Sequence, residues 1–302
     1  MDLFSFTAHF DSEEACRLHF KEQRDKIGVV CFNCQHTEHY WIKSRWSYEC
    51  KNCRSRTSLR SGTIMQSSNL SFLIWYKTMF LLSATKKGFS SKEIQKQLGL
   101  KRYEPVWAMV HKLRKAMGKR NSRYTLEGMI EMDEGYFTVE SDAIEKHNGG
   151  RGRGAAGKKN VAIMAESTPL ENVETGETSS QCRYFKAKVL DNHKMNEINE
   201  VVIDSLDEKS IVFTDKSTSY VDISDYVELH VTEKSNEQTT KETLRWVHIT
   251  ISNAKRNLLG NYHKIKGKYL QLYLDEFVYK LNRRYFKDRI FDRLVIANIT
   301  GL

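Results

Sequence analysis

Apolar and polar positions change their spacing several times along this chain, and each change predicts an element. The stretch His39-Tyr-Trp-Ile-Lys-Ser-Arg-Trp-Ser-Tyr48 is rich in aromatic residues and reads as a β-hairpin. Residues 70–82 are mostly apolar and predict a helix. A shorter helix follows within 88–100, where Ser90 with Glu93 three residues on forms a capping box and Gly99 marks the stop. Another runs from Glu104 to Met117, with Pro105 in the first turn, where a missing N–H costs little. From residue 124 onward strands and helices alternate. Asp133 lies on a first strand, with 159–165 and 184–190 as its antiparallel neighbours. A helix over 195–206 leads into a strand over 211–213, a further strand spans 226–231, and helices close the chain. That order predicts a mixed α/β layer.

With 302 residues, 40% of them hydrophobic and 11% aromatic, the chain can bury a large core domain and one or two small modules, so a disordered chain is excluded. No run of about 18 apolar residues exists to span a bilayer, and the first residues lack the basic and apolar regions of a signal peptide. A cytosolic location is therefore expected. Six cysteines in such a chain favour metal ligation or free thiols over a disulfide framework.

The net charge of +10 is unevenly spread. Residues 54–123 hold sixteen Lys/Arg against Glu93 and Glu104 alone, a balance of +14. Residues 161–240 hold seven against sixteen acids, and residues 241–302 hold thirteen against five. A solvated surface mixes its signs, so a one-sided stretch of this length reads as an electrostatic footprint for a polyanion, with a basic face kept only for solubility as the plainer alternative.

Two CxxC knuckles, Cys31-Phe-Asn-Cys34 and Cys50-Lys-Asn-Cys53, bracket the expected hairpin. Each lets two thiolates converge on one tetrahedral Zn²⁺ at about 2.3 Å, which predicts a zinc ribbon over residues 1–60. Cys16 and Cys182 have no partner at ligand spacing and are expected to be buried or free thiols. The interleaved Trp41, Arg45, Trp46 and Arg54 favour DNA contact by the ribbon over simple anchoring of a neighbour. The helices around the Gly99 turn predict a helix-turn-helix within residues 61–123, with Lys101, Arg102, Lys112 and Arg114 as candidate DNA contacts. Residues 146–159 are glycine-rich and basic and suit a loop approaching phosphates, with Arg151 and Arg153 as its contacts. Walker spacing is absent there.

Asp133 and Asp215 are aspartates on apolar strands, and a later helix carries His248 and Lys255. Seven residues at about 100° each fall about 20° short of two turns, so His248 and Lys255 share one helix face. Taken singly each aspartate could be a strand-end turn residue. As a set they suit Mg²⁺, since that ion binds through one or two carboxylates together with substrate phosphate, and a pair of such ions can serve both the attacking and the leaving oxygen.

From Asp133-Glu-Gly-Tyr-Phe137 through Phe213-Thr-Asp215, Lys255-Arg-Asn-Leu-Leu-Gly-Asn-Tyr-His263 and the Asn282-Arg-Arg284 tail, the chain resembles bacterial insertion-sequence transposases. The group it resembles carries an N-terminal zinc ribbon and a DDE-type catalytic domain. The resemblance implies an RNase H-like mixed-sheet core over residues 124–302, preceded by the ribbon and the helix-turn-helix region. It also implies an enzyme that cuts the ends of its own element and joins them to target double-stranded DNA with Mg²⁺ or Mn²⁺, working as a homo-oligomer in the bacterial cytoplasm. By position, Asp133 and Asp215 match the two catalytic aspartates, His248 stands where a glutamate or similar polar ligand is usual, and Lys255 matches the basic residue of that helix. Imidazole brings no negative charge and suits Mn²⁺ better than Mg²⁺. Three readings of His248 stay open: a working ligand, an inactive copy, or recruitment of Glu242 in its place. Three functions stay open likewise: a transposase, a DNA-binding regulator without chemistry, and a nuclease without strand transfer.

Overall fold

A computed structural model describes residues 1–140, 157–171, 178–191, 195–234, 236 and 243–301. The chain forms two compact units, Met1–Arg120 with Arg283–Leu302, and Asn121–Asn282.

In the first unit, α1 (Leu3–His9) and α2 (Glu13–Ile27) precede a three-stranded antiparallel sheet of β1 (His39–Ile42), β2 (Ser47–Cys50) and β3 (Arg56–Ser58). The expected hairpin is thus present, with Trp41 opposite Tyr48. The two helices before it were not foreseen, although Ser12 caps α2 by accepting the Ala15 N–H at 3.2 Å and Glu13 and Glu14 follow in the first turn. Arg24 of α2 is buried and donates to the carbonyls of Ser58, Leu59 and Ser61 at 3.0, 2.6 and 2.6 Å, so the helix and the ribbon are one packed body. Lys21 lies 4.9 Å from the Trp41 ring and Arg17 lies 5.4 Å from that of Trp46, so both tryptophans are occupied in binding α2.

Next come α3 (Phe72–Ala84), α4 (Ser91–Gln97) and α5 (Glu104–Ser122). The N-cap half of the expected capping box is observed, with the Ser90 hydroxyl accepting the Glu93 N–H at 3.1 Å. At the far end of α4, Gly99 takes φ +63° while its N–H reaches the Lys96 carbonyl and that of Leu100 reaches Gln95, a Schellman stop that a glycine accepts without strain. Val106, Met109, Val110, Leu113 and Met117 form the buried face of α5.

The second unit is a five-stranded sheet in the order β6-β5-β4-β7-β8, built from β4 (Met129–Thr138), β5 (Lys158–Glu171), β6 (Thr178–Leu190), β7 (Ile211–Asp215) and β8 (Leu229–Glu233). β4, β5 and β6 are antiparallel, whereas β7 and β8 run parallel to β4. This mixed sheet is the RNase H-like arrangement expected. Helix α6 (Met195–Ser205) packs on one face through Ile198 and Val202, with Ile130, Met132 and Tyr220. Helices α7 (Arg245–Asn261) and α8 (Leu270–Asn282) cover the other, burying Val247, Ile251, Leu274 and Val278 against Phe137, Val161 and Ile163. The strand expected over 226–231 starts later, because residues 218–225 turn as a 3₁₀ segment and bury Tyr220 and Ile223.

Beyond α8 the chain leaves this unit. Helix α9 (Ile290–Thr300) packs on α3 and α2, and Phe291 meets the Phe6 and Tyr76 rings at 5.6 and 5.7 Å. The boundary expected at 124–302 is accordingly redrawn: the sheet unit ends at Asn282, and the C-terminal helix completes the aromatic core of the first unit. A sequence-local reading has no means of joining Phe291 to Phe6.

Candidate active site

The carboxylates arise from strand order. β4 pairs with β7 in parallel, with Met129 opposite Ile211 and Glu131 opposite Phe213. Continuing that register by two residues sets Asp133 beside Asp215, on adjacent strands of the sheet centre. Asp133 accepts the Glu134 N–H at 2.7 Å, and Asp215 accepts the Ser217 N–H at 3.1 Å. Burial pushes the Asp133 carboxyl up to about 6, and the neighbouring Asp215 charge adds to that shift while Lys255 opposes it. Two like charges held together in a half-buried place are the arrangement that a divalent cation relieves, so the donor set fits Mg²⁺ or Mn²⁺.

The helix α7 brings the other two residues. His248 Nδ1 lies 3.6 Å from Asp133 Oδ2, and burial lowers its pKa, so the ring is neutral near pH 7. Lys255 Nζ lies 5.7 Å from the Phe137 ring centroid, further along β4. Helix α7 approaches the strand closely at Gly135, where a Cβ would stand 3.2 Å from Ile251 Cγ2. Glu242 lies outside the described residues, as do Arg151 and Arg153. Asp133, Asp215 and His248 do not themselves close into a three-donor cage: among the described residues, the four ribbon cysteines are the cluster whose ligand atoms all lie within 4.8 Å.

What orients α7 is a residue that sequence reasoning passed over. Glu131 sits two residues before Asp133 and thus on the same face of β4. It is 4% exposed, and its Oε2 accepts the backbone N–H groups of Trp246 and Val247 at 2.6 and 3.0 Å. These are orphan donors at the start of α7, so a strand carboxylate caps the helix that carries His248 and Lys255. Burial raises the Glu131 pKa to about 7. The signal was present as an acid in the apolar run Met129-Ile-Glu-Met132. On the opposite face, Asn160 donates to Glu134, whose carboxylate also bonds the buried Tyr220 hydroxyl and pushes its pKa further above the ordinary tyrosine range than burial alone.

In the first unit the cysteines meet as their spacing requires. Cys31 and Cys53 Sγ are 3.6 Å apart, and those of Cys34 and Cys50 are 3.5 Å apart. A tetrahedron with bonds of about 2.3 Å has edges of about 3.8 Å, so the four thiols are placed to hold one metal ion. Gln35 and Arg54, each following the second cysteine of its knuckle, both take φ 59°. Cys16 and Cys182 are buried. Of the candidate DNA contacts, Arg45, Lys101 and Arg102 are exposed. Arg54 is exposed with its guanidinium 3.6 Å from Glu49, and Lys112 donates to the Gln66 carbonyl at 2.8 Å. Arg114 is fully buried on the core side of α5, so it belongs to the packing of that helix and is withdrawn as a phosphate contact.

No helix of the described residues is long and apolar enough to cross a membrane. Among curated proteins none matches the chain significantly. Residues 125–282 match the model of the ISXO2-like transposase domain, a stretch that contains all five strands, both aspartates, His248 and Lys255. With more than half of its length so matched, and its sheet order and paired aspartates as described, the chain belongs to the ISXO2-like family of DDE-type transposases.

Proposed function

We propose that this protein binds the terminal repeats of its own insertion sequence and catalyses divalent-metal-dependent DNA cleavage and strand transfer at Asp133 and Asp215. The observation that carries this reading is the juxtaposition of the two aspartates on adjacent parallel strands, with His248 3.6 Å from Asp133. Asp133 and Asp215 would hold Mg²⁺ or Mn²⁺, with the neutral His248 imidazole as a nitrogen donor. The ion supplies Lewis-acid stabilisation of charge on the phosphoryl oxygens. Lys255, on the His248 face of α7, steadies the DNA phosphate by charge. Glu131 keeps that helix in place by capping it. Zn²⁺ is assigned to Cys31, Cys34, Cys50 and Cys53 as a structural ion. Terminal DNA is bound by the first unit, whose exposed Arg45, Arg54, Lys101 and Arg102 present positive charge, and two element ends require a homo-oligomer. The setting is the bacterial cytoplasm, at DNA.

A second reading, a DNA-binding regulator without chemistry, draws support from His248 itself, which replaces a charged ligand with a neutral one. Incubating the full chain with a labelled terminal-repeat duplex, a supercoiled plasmid and Mn²⁺ or Mg²⁺ separates the possibilities. Labelled plasmid supports the transposase. Cut but unjoined DNA supports a nuclease, and binding with neither supports the regulator.

A further inference from the structure

Beyond the two aspartates, β4 leads toward a group of lysines drawn from distant parts of the chain. Phe137 and Thr138 pair with Lys159 and Lys158 of β5. Two residues on, Glu140 forms a parallel bridge with Lys266 and donates its N–H to the Ile265 carbonyl at 2.7 Å, which pins the segment His263-Lys-Ile-Lys-Gly-Lys268 to this end of the sheet. A Cβ at Gly267 would stand 3.3 Å from Lys159 Cε, so Lys159 lies against this segment. Lys158, Lys264, Lys266 and Lys268 are exposed, and the acid bonded into the group is Glu140, which Lys264 meets at 3.8 Å. Lys255, over Phe137, stands between these lysines and Asp133 along the strand.

The linear charge pattern does not show that these lysines meet, because Lys158 and Lys159 lie about a hundred positions before the 264–268 segment. Five residues of strand from Asp133 to Thr138 cover about 17 Å, which is the axial length of about five nucleotides of one DNA strand. We infer that Lys158, Lys264, Lys266 and Lys268 form a phosphate track within the catalytic unit that grips the DNA backbone leading away from the Asp133–Asp215 pair, independently of the basic region at 54–123. The inference rests on the transposase reading for the identity of the polyanion. It gives a role to the group of exposed lysines that the sheet unit, acidic over 161–240, carries at the end toward which β4 runs from its aspartate.

The test measures binding of the full, zinc-loaded chain to a random-sequence 30-bp duplex between 50 and 300 mM KCl, with no chelator and no added divalent cation, for the wild type and for a Lys264→Gln, Lys266→Gln, Lys268→Gln triple variant. Each lost phosphate contact makes the slope of log K against log salt shallower by about 0.9. The triple variant should therefore be shallower by about 2.7, with an unchanged melting temperature. Lys209→Gln, at the entry of β7 and thus the other end of the sheet, should leave the slope as it is. A triple variant with the wild-type slope overturns the track. If the slope shifts as expected while the wild type neither cuts nor joins DNA in any divalent metal, the track stands and the catalytic reading falls. If the wild type cuts and joins while the triple variant keeps its slope, the reverse holds.

Discussion

Removing the Glu131 carboxylate should separate two consequences of one hydrogen-bonding arrangement. Its Oε2 accepts two N–H groups at 2.6 and 3.0 Å from the first turn of α7, and it does so with 4% of its surface exposed. Leaving one buried donor unsatisfied costs about 1–3 kcal/mol, so losing the acceptor for two should cost Glu131→Ala about 3 kcal/mol. Glu131→Gln retains an oxygen that can accept both and should cost less than about 1 kcal/mol at pH 5. The charge adds a pH dependence of known sign. A carboxyl raised by burial from 4.5 to about 7 holds its proton more tightly in the folded state, so its contribution is most favourable below pH 4.5 and is lost as pH rises through 7. At 1.36 kcal/mol per unit that loss is about 3 kcal/mol, and glutamine does not suffer it. Urea unfolding at pH 5 and pH 8, without chelator or added divalent cation, should therefore show Glu131→Gln gaining about 2.5 kcal/mol on the wild type between the two. Asp133 and Asp275, both raised to about 6, contribute equally to each protein and cancel in the difference. Parallel pH curves for the wild type and Glu131→Gln would refute the reasoning, as would a Glu131→Ala variant as stable as Glu131→Gln at pH 5.

Other outcomes are equally specific. Freshly purified protein should carry one equivalent of zinc, and Cys50→Ser should lose it together with the fold of the ribbon; less than half an equivalent in the wild type contradicts the four-cysteine site. His248→Ala should lower strand cleavage strongly, and His248→Glu should retain activity with the metal preference moved from Mn²⁺ toward Mg²⁺, as read from rates in each metal. Activity should also fall on acidification as the His248 ring takes a proton, and since burial lowers its pKa this fall should lie below pH 6.5. Asn282 donates to the Phe185 carbonyl and accepts the Phe185 N–H at 2.9 and 2.8 Å, satisfying the exposed edge of β6. Asn282→Ala should cost about 1–3 kcal/mol in urea unfolding and leave zinc content unchanged.

Much of the site was legible because it lies on regular elements whose periods appear in the sequence. The short apolar runs before Asp133 and Asp215 predict two strands, and the CxxC spacing predicts a cluster that the structure brings to 3.5–3.6 Å. The Ser90 and Gly99 signals fixed α4 at both ends because capping is local chemistry. What stayed hidden was pairing between distant segments. Arg114 looked like a phosphate contact because charge alone does not say which face of α5 is buried, and only the packing of Met109, Val110 and Leu113 decides it. Trp41 and Trp46 looked free for DNA because α2, which lies over them, had not been read as a helix. Asn282 appeared only as part of a family-like tail, although its bonds to β6 give it a structural task. The return of α9 to the first unit depends on an aromatic contact nearly three hundred positions apart.

The most direct test of the central claim compares Asp133→Asn, Asp215→Asn and the wild type for joining of a labelled DNA end to plasmid in Mn²⁺, alongside binding of the same DNA by the zinc-loaded proteins with no chelator and no added divalent cation. Both variants should lose joining entirely and bind DNA within about twofold of the wild type, since the carboxylate charge that holds the ion is gone while the basic surfaces remain. Joining at the wild-type rate by either variant would contradict the assignment of the paired aspartates as the catalytic centre.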